Sequence, residues 1–80
     1  MRPRAKKVIP LDDYKLLITF TNGEQKIFDV KPYLDFIMFQ PLNDKEKFRT
    51  VHIAGLSVEW IGGQDICPDE LYYDSINLEN

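Results

Sequence analysis

One histidine, one cysteine and a run of carboxylates are the side chains of this 80-residue chain suited to acid–base, nucleophilic or metal chemistry. His52 lies between Val51 and Ile53. In a strand whose apolar residues face inward, it points away from the core. General-base work needs a positioned substrate and usually an orienting carboxylate, for which Glu59 on the neighbouring strand is the candidate. Cys67 precedes Pro68 at a predicted helix start. A thiolate there meets the favourable helix end but also the carboxylates of Asp69 and Glu70, so no reactive thiol follows. Asp65, Asp69, Glu70 and Asp74 form an acidic group with spacings of four and five residues. Two or three could share one side, yet the alternating ligands, central glycine and closing glutamate of a calcium loop are absent. Capping of a short helix accounts for Asp69 and Glu70. A lone histidine and a lone cysteine build neither a zinc site nor a disulfide. The sequence has no glycine-rich phosphate loop, nucleophile elbow or paired metal ligands. It therefore assigns no catalytic, cofactor-binding or metal-ligating residues.

Charge and composition narrow the classes further. The net charge is −3, where nucleic-acid-binding domains usually carry a basic excess. The charges are polarised. Arg2, Arg4, Lys6 and Lys7 open the chain without an acid, and Asp65, Asp69, Glu70, Asp74 and Glu79 close it without a base. A basic first element and an acidic last one can attract each other within a fold or between subunits. The rival reading takes Arg2, Arg4, Lys6 and Lys7 as an arm for phosphate contacts. No apolar run is long enough for a membrane span, and the basic start lacks the apolar core of a signal peptide. A cytoplasmic location is the expectation. Five Phe, four Tyr and one Trp point to a folded chain of one domain, residues 1–80, with 5–76 as its core.

These residues need elements to hold them. Lys7–Pro10 reads as a short strand. Tyr14, Leu16, Ile18 and Phe20 alternate with Lys15, Leu17 and Thr19, the period of a half-buried strand. Thr21-Asn22-Gly23 then turns the chain. A two-residue loop would mismatch the apolar faces. A three-residue loop with Gly23 left-handed pairs Phe20 with Glu24, Ile18 with Lys26, Leu16 with Phe28 and Tyr14 with Val30. Pro32 suits a helix start, and Tyr33–Phe39 is either one or two helical turns or an apolar loop. Asn43 and Glu46 resemble a capping box for a helix over 44–48. Residues 51–53 and 57–61 form strands joined at Ala54-Gly55. Val58 and Trp60 share an inward face, and Gly62-Gly63 breaks the second strand. Pro68 opens a last short helix that packs back through Leu71 and Tyr72. The prediction is an α+β fold: a small antiparallel sheet of about five short strands with two or three short helices.

Two further groups could bind something. Trp60 reads as core, because it shares a strand face with Val58. The apolar excess from Tyr33 to Leu42 exceeds what one side of a small sheet needs. Tyr33, Phe36, Ile37, Phe39 and Leu42 are therefore candidate interface residues, since exposed aromatics favour protein contacts.

The hairpin at Asn22-Gly23, followed by Leu42, Phe48 and the stretch Trp60…Gly63-x-Asp65-Ile66-x-Pro68-x-x-Leu71-Tyr72, resembles a small bacterial family of unknown function, DUF2442, over roughly residues 5–76. The part from Trp60 to Tyr72 is the specific portion. Many members have a Pro-Asn-Gly-like turn after the tryptophan, where this chain has Ile61-Gly62-Gly63. The resemblance implies a small standalone protein. Some members carry an added helix-turn-helix domain, for which this chain is expected to have no room. Genes for the standalone forms often sit beside another short gene, an arrangement like that of toxin–antitoxin pairs. The resemblance carries no catalytic residue. The first reading is a protein-interaction or regulatory domain, a partner of a neighbouring small protein or of itself as a homodimer, with no membrane and no cofactor. The alternatives are a nucleic-acid-associated accessory protein using the basic arm, and a small enzyme around His52 and Glu59.

Overall fold

A computed structural model describes residues 2–78. Its framework is the hairpin of β2 (Lys15–Phe20) and β3 (Gln25–Asp29). Leu16, Ile18 and Phe20 all face inward and are buried. Leu16 pairs with Phe28 and Ile18 with Lys26, the register in which the apolar faces coincide. The Phe20 N–H donates to the Glu24 carbonyl at 2.8 Å, and the Gly23 N–H to the Phe20 carbonyl at 2.9 Å. Thr21-Asn22-Gly23 is thus a three-residue loop. Gly23 closes it at φ 92°, a left-handed conformation that a side chain would strain.

β1 (Ala5–Leu11) lies antiparallel on the other side of β2, with Ile9 opposite Leu17 and a bulge between Ala5 and Lys7. It is longer than Lys7–Pro10. Pro10 does not end it, because on an edge strand the missing N–H can face away from the ladder. The link from β1 to β2 is strained: Asp13 and Tyr14 both have positive φ, 65° and 60°. Three contacts hold it. The Tyr14 hydroxyl donates to the Asn43 carbonyl. The Val30 N–H donates to the Tyr14 carbonyl at 2.9 Å. The Lys31 ammonium pairs with Asp13 at 2.9 Å, which lowers the Asp13 carboxyl below its ordinary range, first through that hydrogen bond and then through the lysine charge.

After β3 the chain folds into two 3₁₀ turns, Lys31–Tyr33 and Ile37–Asn43. A short helix α1 (Lys45–Phe48) follows. Its N-cap is Asp44, whose carboxylate accepts from the Glu46 N–H at 2.9 Å. Asn43 does not cap it; its amide closes the preceding turn on the Gln40 carbonyl. β4 (His52–Ala54) and β5 (Ser57–Glu59) pair as a second hairpin. The helix α2 (Pro68–Tyr73) begins with Cys67 at the N-cap and Pro68 at its first position. Finally β6 (Ile76–Asn77) adds to β3. The class is α+β. The described strands number six and divide into two antiparallel sheets, β1-β2-β3-β6 and β4-β5.

One core joins the elements. Trp60 is fully buried against Phe39 and Phe48, with ring centroids 6.2 and 6.0 Å away. Phe20, Phe28, Leu42, Ile66 and Leu71 complete it from the large sheet, the 3₁₀ turn, the segment before α2 and α2 itself. Tyr72 lays its ring edge-on to Phe20 at 5.0 Å. No helix among the described residues is long and apolar enough to cross a membrane.

Candidate interaction surfaces

The small hairpin brings His52 and Glu59 opposite each other, with Nε2 3.6 Å from Oε2. The His52 Nδ1 lies 3.0 Å from the Thr50 carbonyl, which fixes the ring plane. Asp65 continues the row through a backbone bridge to Glu59. The imidazole and the carboxylate are each about half exposed on an open hairpin face. Among the described residues no group of three or more His, Cys, Asp or Glu is placed to hold a metal ion. Cys67 is exposed and caps α2 by position alone, without a side-chain hydrogen bond.

The acidic group and the basic start meet each other. Arg2 pairs with Asp69 of α2 at 2.9 Å, which ties the first described residue to the last helix. The next residues are built into the sheet edge: the Thr21 N–H donates to the Arg4 carbonyl at 2.9 Å, and Lys6 and Lys7 lie exposed within β1. Glu70 accepts from the Tyr33 hydroxyl at 2.6 Å. Burial raises the Tyr33 phenol well above the ordinary tyrosine range, and the hydrogen bond and charge of Glu70 add to the rise.

The apolar segment from Tyr33 to Leu42 splits in two. Phe39 and Leu42 are core, which corrects their reading as interface residues. A 3₁₀ turn repeats every three residues, so Phe39 and Leu42 stack on one inward side. Ile37 and Met38 fall on the other sides, and Phe36 precedes the turn in an extended conformation. Phe36, Ile37 and Met38 are 59%, 85% and 61% exposed. Their base is rigid, because Phe39 packs on Trp60 and the Gln64 amide donates to the Met38 carbonyl at 3.2 Å. Tyr33 is half-buried, its ring 5.4 Å from Phe39 and 6.3 Å from Phe36. Beside Phe36 opens a shallow cavity of about 390 Å³, walled by Pro32, Tyr33 and Phe36 and rimmed by Asp29, Glu70 and Asp74.

A second apolar surface emerges only from the strand pairing. The register places Ile9, Leu17, Ile27 and Ile76 side by side across all four strands of the large sheet, on the face opposite the core. Ile9 and Ile76 are exposed and Leu17 and Ile27 are partly so. The signal existed as Leu17 and Ile27 at outward positions of alternating strands. Without the third and fourth strands it did not add up to a surface.

A family profile described as "Protein of unknown function (DUF2442)" matches residues 5–77, nearly the whole chain. The chain belongs to the DUF2442 family. Neither a curated protein nor a solved structure matches it. The specific part of the family pattern thereby acquires physical roles in a DUF2442 member. Trp60 fills the core centre, Gly63 closes a turn at φ 93°, Ile66 and Leu71 are buried, and Pro68 starts α2.

Proposed function

We propose that this DUF2442 protein is a protein-interaction domain that acts in the cytoplasm by docking a small regulatory partner on the knuckle Phe36-Ile37-Met38. One observation carries the reading: three consecutive large apolar side chains project to solvent from a turn anchored in the core. Isolated exposed apolar residues are ordinary, but a rigid contiguous group has the form of an interface anchor. A pre-set conformation spares the ordering cost that a flexible loop would add on binding. The neighbouring carboxylates Asp29, Glu70 and Asp74 define the partner's rim. It offers an apolar pocket for the knuckle and a lysine or arginine toward the cavity beside Phe36.

The test is affinity capture from the native cell with the wild-type chain and an Ile37→Asp/Met38→Asp variant, read by mass spectrometry and repeated with purified partner. A protein retained by wild type and lost with the variant supports the reading. Equal capture by both chains, with the variant folded, rejects the knuckle as the docking site.

A further inference from the structure

We propose that the uncovered face of the large sheet is the contact surface of a homodimer, in which a two-fold axis runs parallel to the strands between β2 and β3. Its apolar row is distinct from the knuckle and does not depend on docking there, although Asp29 at its border also rims the cavity beside Phe36. The central row Ile9-Leu17-Ile27-Ile76 crosses the whole sheet at one level, and Ile76 at its end is 74% exposed. An antiparallel sheet commonly leaves one face to water, but then that face is polar. Here the polar residues lie in the neighbouring rows. On one side Thr19 and Gln25 bond to each other across the strands at 3.3 Å, with the exposed Lys7 beside Thr19 on the edge strand. On the other side Lys15 and Asp29 are register partners, and Leu11 beside Lys15 extends the apolar surface.

The charges of that last row select the occupant and its orientation. Lys15 forms no ion pair among the described residues, while Asp29 lies 3.4 Å from Lys31 and about half exposed. A second copy turned about an axis along the strands, between β2 and β3, brings Lys15 of each copy over Asp29 of the other. The same rotation seats Leu17 on Ile27 and Ile9 on Ile76. Two identical ion pairs then flank one apolar layer, as an isologous interface requires. A two-fold axis across the strands instead sets Asp29 over Gln25 and Lys15 over Thr19, and neither charge gains a partner across the interface. Aligned sheets pack about 10 Å apart, a gap that an extended lysine and an aspartate can bridge. Three strands of about five residues and the two-residue β6, at about 4.8 Å between strands and about 3.4 Å per residue, give a face of roughly 300 Å² in plan. Counted on both copies the contact is roughly 600 Å² in plan and larger as accessible surface, which places it among the small, transient interfaces. A contact this small belongs with reversible associations, and the dissociation expected of it lies in the micromolar range or weaker, short of millimolar.

Charge-reversed variants of the full chain test this by sedimentation equilibrium, with circular dichroism confirming the fold. Wild type should dimerise across the micromolar range. Lys15→Glu and Asp29→Lys, each alone, place like charges opposite one another and should weaken self-association by at least about tenfold. Mixed in equal amounts, the two variants should recover the dimer, because both cross-pairs become attractive. Effects inside one chain cannot respond to mixing, so recovery is specific to the proposed axis. Ile76→Asp, at a position with little to lose in the monomer, should also abolish the dimer. Ile37→Asp, on the knuckle, should leave it intact, so failure of the docking reading and failure of this one are distinct. A wild-type chain that stays monomeric to hundreds of micromolar overturns the proposal. So does a dimer indifferent to Ile76→Asp, or a mixture that fails to recover.

Discussion

The indole N–H of Trp60 donates to the main-chain carbonyl of Phe48 at 2.8 Å, joining the strand side of the core to the end of α1. The bond is fully buried and the ring lies between Phe39 and Phe48. Trp60→Ala removes that ring and leaves a cavity, and should cost about 3–5 kcal/mol. That is most of the stability a domain of this size has. Trp60→Phe keeps much of the packing but withdraws the donor from a buried carbonyl. It should cost about 1–3 kcal/mol. Urea unfolding of both variants checks the order. A Phe variant as unstable as the Ala variant would show that the hydrogen bond, and not the volume, dominates.

Two turns share one hydrogen-bond pattern. Phe20 donates to Glu24 and Gly23 to Phe20; Trp60 donates to Gln64 and Gly63 to Trp60. Gly23 and Gly63 sit at φ 92° and 93° with nothing within 4 Å of where a side chain would begin. Substitution by alanine therefore meets no clash, only the left-handed penalty. Gly23→Ala and Gly63→Ala should each destabilise by about 1 kcal/mol. Thermal or chemical unfolding decides it. A neutral outcome at either site would mean that the turn relaxes to another conformation.

The same pair of turns shows what the sequence made legible. Around Gly23 both strands are long and alternate, so the apolar faces select one register. Around Gly63 the residues after the turn pair through a single bridge, Glu59 with Asp65, too short for a period to show. Gly62-Gly63 therefore read as the end of a strand, although aromatic-x-x-Gly followed by Glu or Gln is common to both turns. β6 escaped notice because two residues carry no pattern. In the segment 33–42 an unbroken apolar run hides its own phase, and only the 3₁₀ turn separates buried Phe39 and Leu42 from exposed Ile37 and Met38. Lys26 is a different case. Its inward position follows from the register opposite Ile18, but its 8% exposure depends on α2. Its ammonium donates to the Tyr72 carbonyl at 2.8 Å and sits 3.9 Å from the Tyr72 ring centroid.

Tyr72 also links α2 to the hairpin turn, its hydroxyl 2.5 Å from a Glu24 carboxylate oxygen that Asn22 shares. The Tyr72 bond, then the Asn22 bond, hold the Glu24 carboxyl below its ordinary range, and Lys26 adds to this. A lowered carboxyl stabilises the fold above its unfolded value, and this contribution is lost as pH falls through the lower folded value. The same bond raises the Tyr72 phenol, and that contribution is lost as pH rises through the higher folded value. Tyr72→Phe should lower stability at neutral pH and flatten its decline below the usual carboxylate range. Denaturation midpoints across acidic pH for both chains measure this. Parallel curves would sink the coupling between Glu24 and Tyr72.

Tyr33 and Glu70 contribute to the alkaline side of the stability profile. The Tyr33 phenol is raised chiefly by burial, then by its hydrogen bond to Glu70, then by the carboxylate charge. A raised phenol contributes stability in full below the ordinary tyrosine pKa and loses it as pH climbs through the higher folded value. Tyr33→Phe should accordingly remove part of the alkaline decline in stability. Glu70→Gln keeps an acceptor near the hydroxyl but deletes the charge. In that variant Tyr33 should ionise earlier than in wild type, yet later than a free tyrosine, because burial persists. Phenolate absorbance recorded against pH for wild type, Tyr33→Phe and Glu70→Gln isolates the Tyr33 contribution. If that contribution titrates in the ordinary tyrosine range while the fold is intact, Tyr33 is not held by burial and Glu70. The wall of the cavity beside Phe36 would then be looser than the 2.6 Å bond implies.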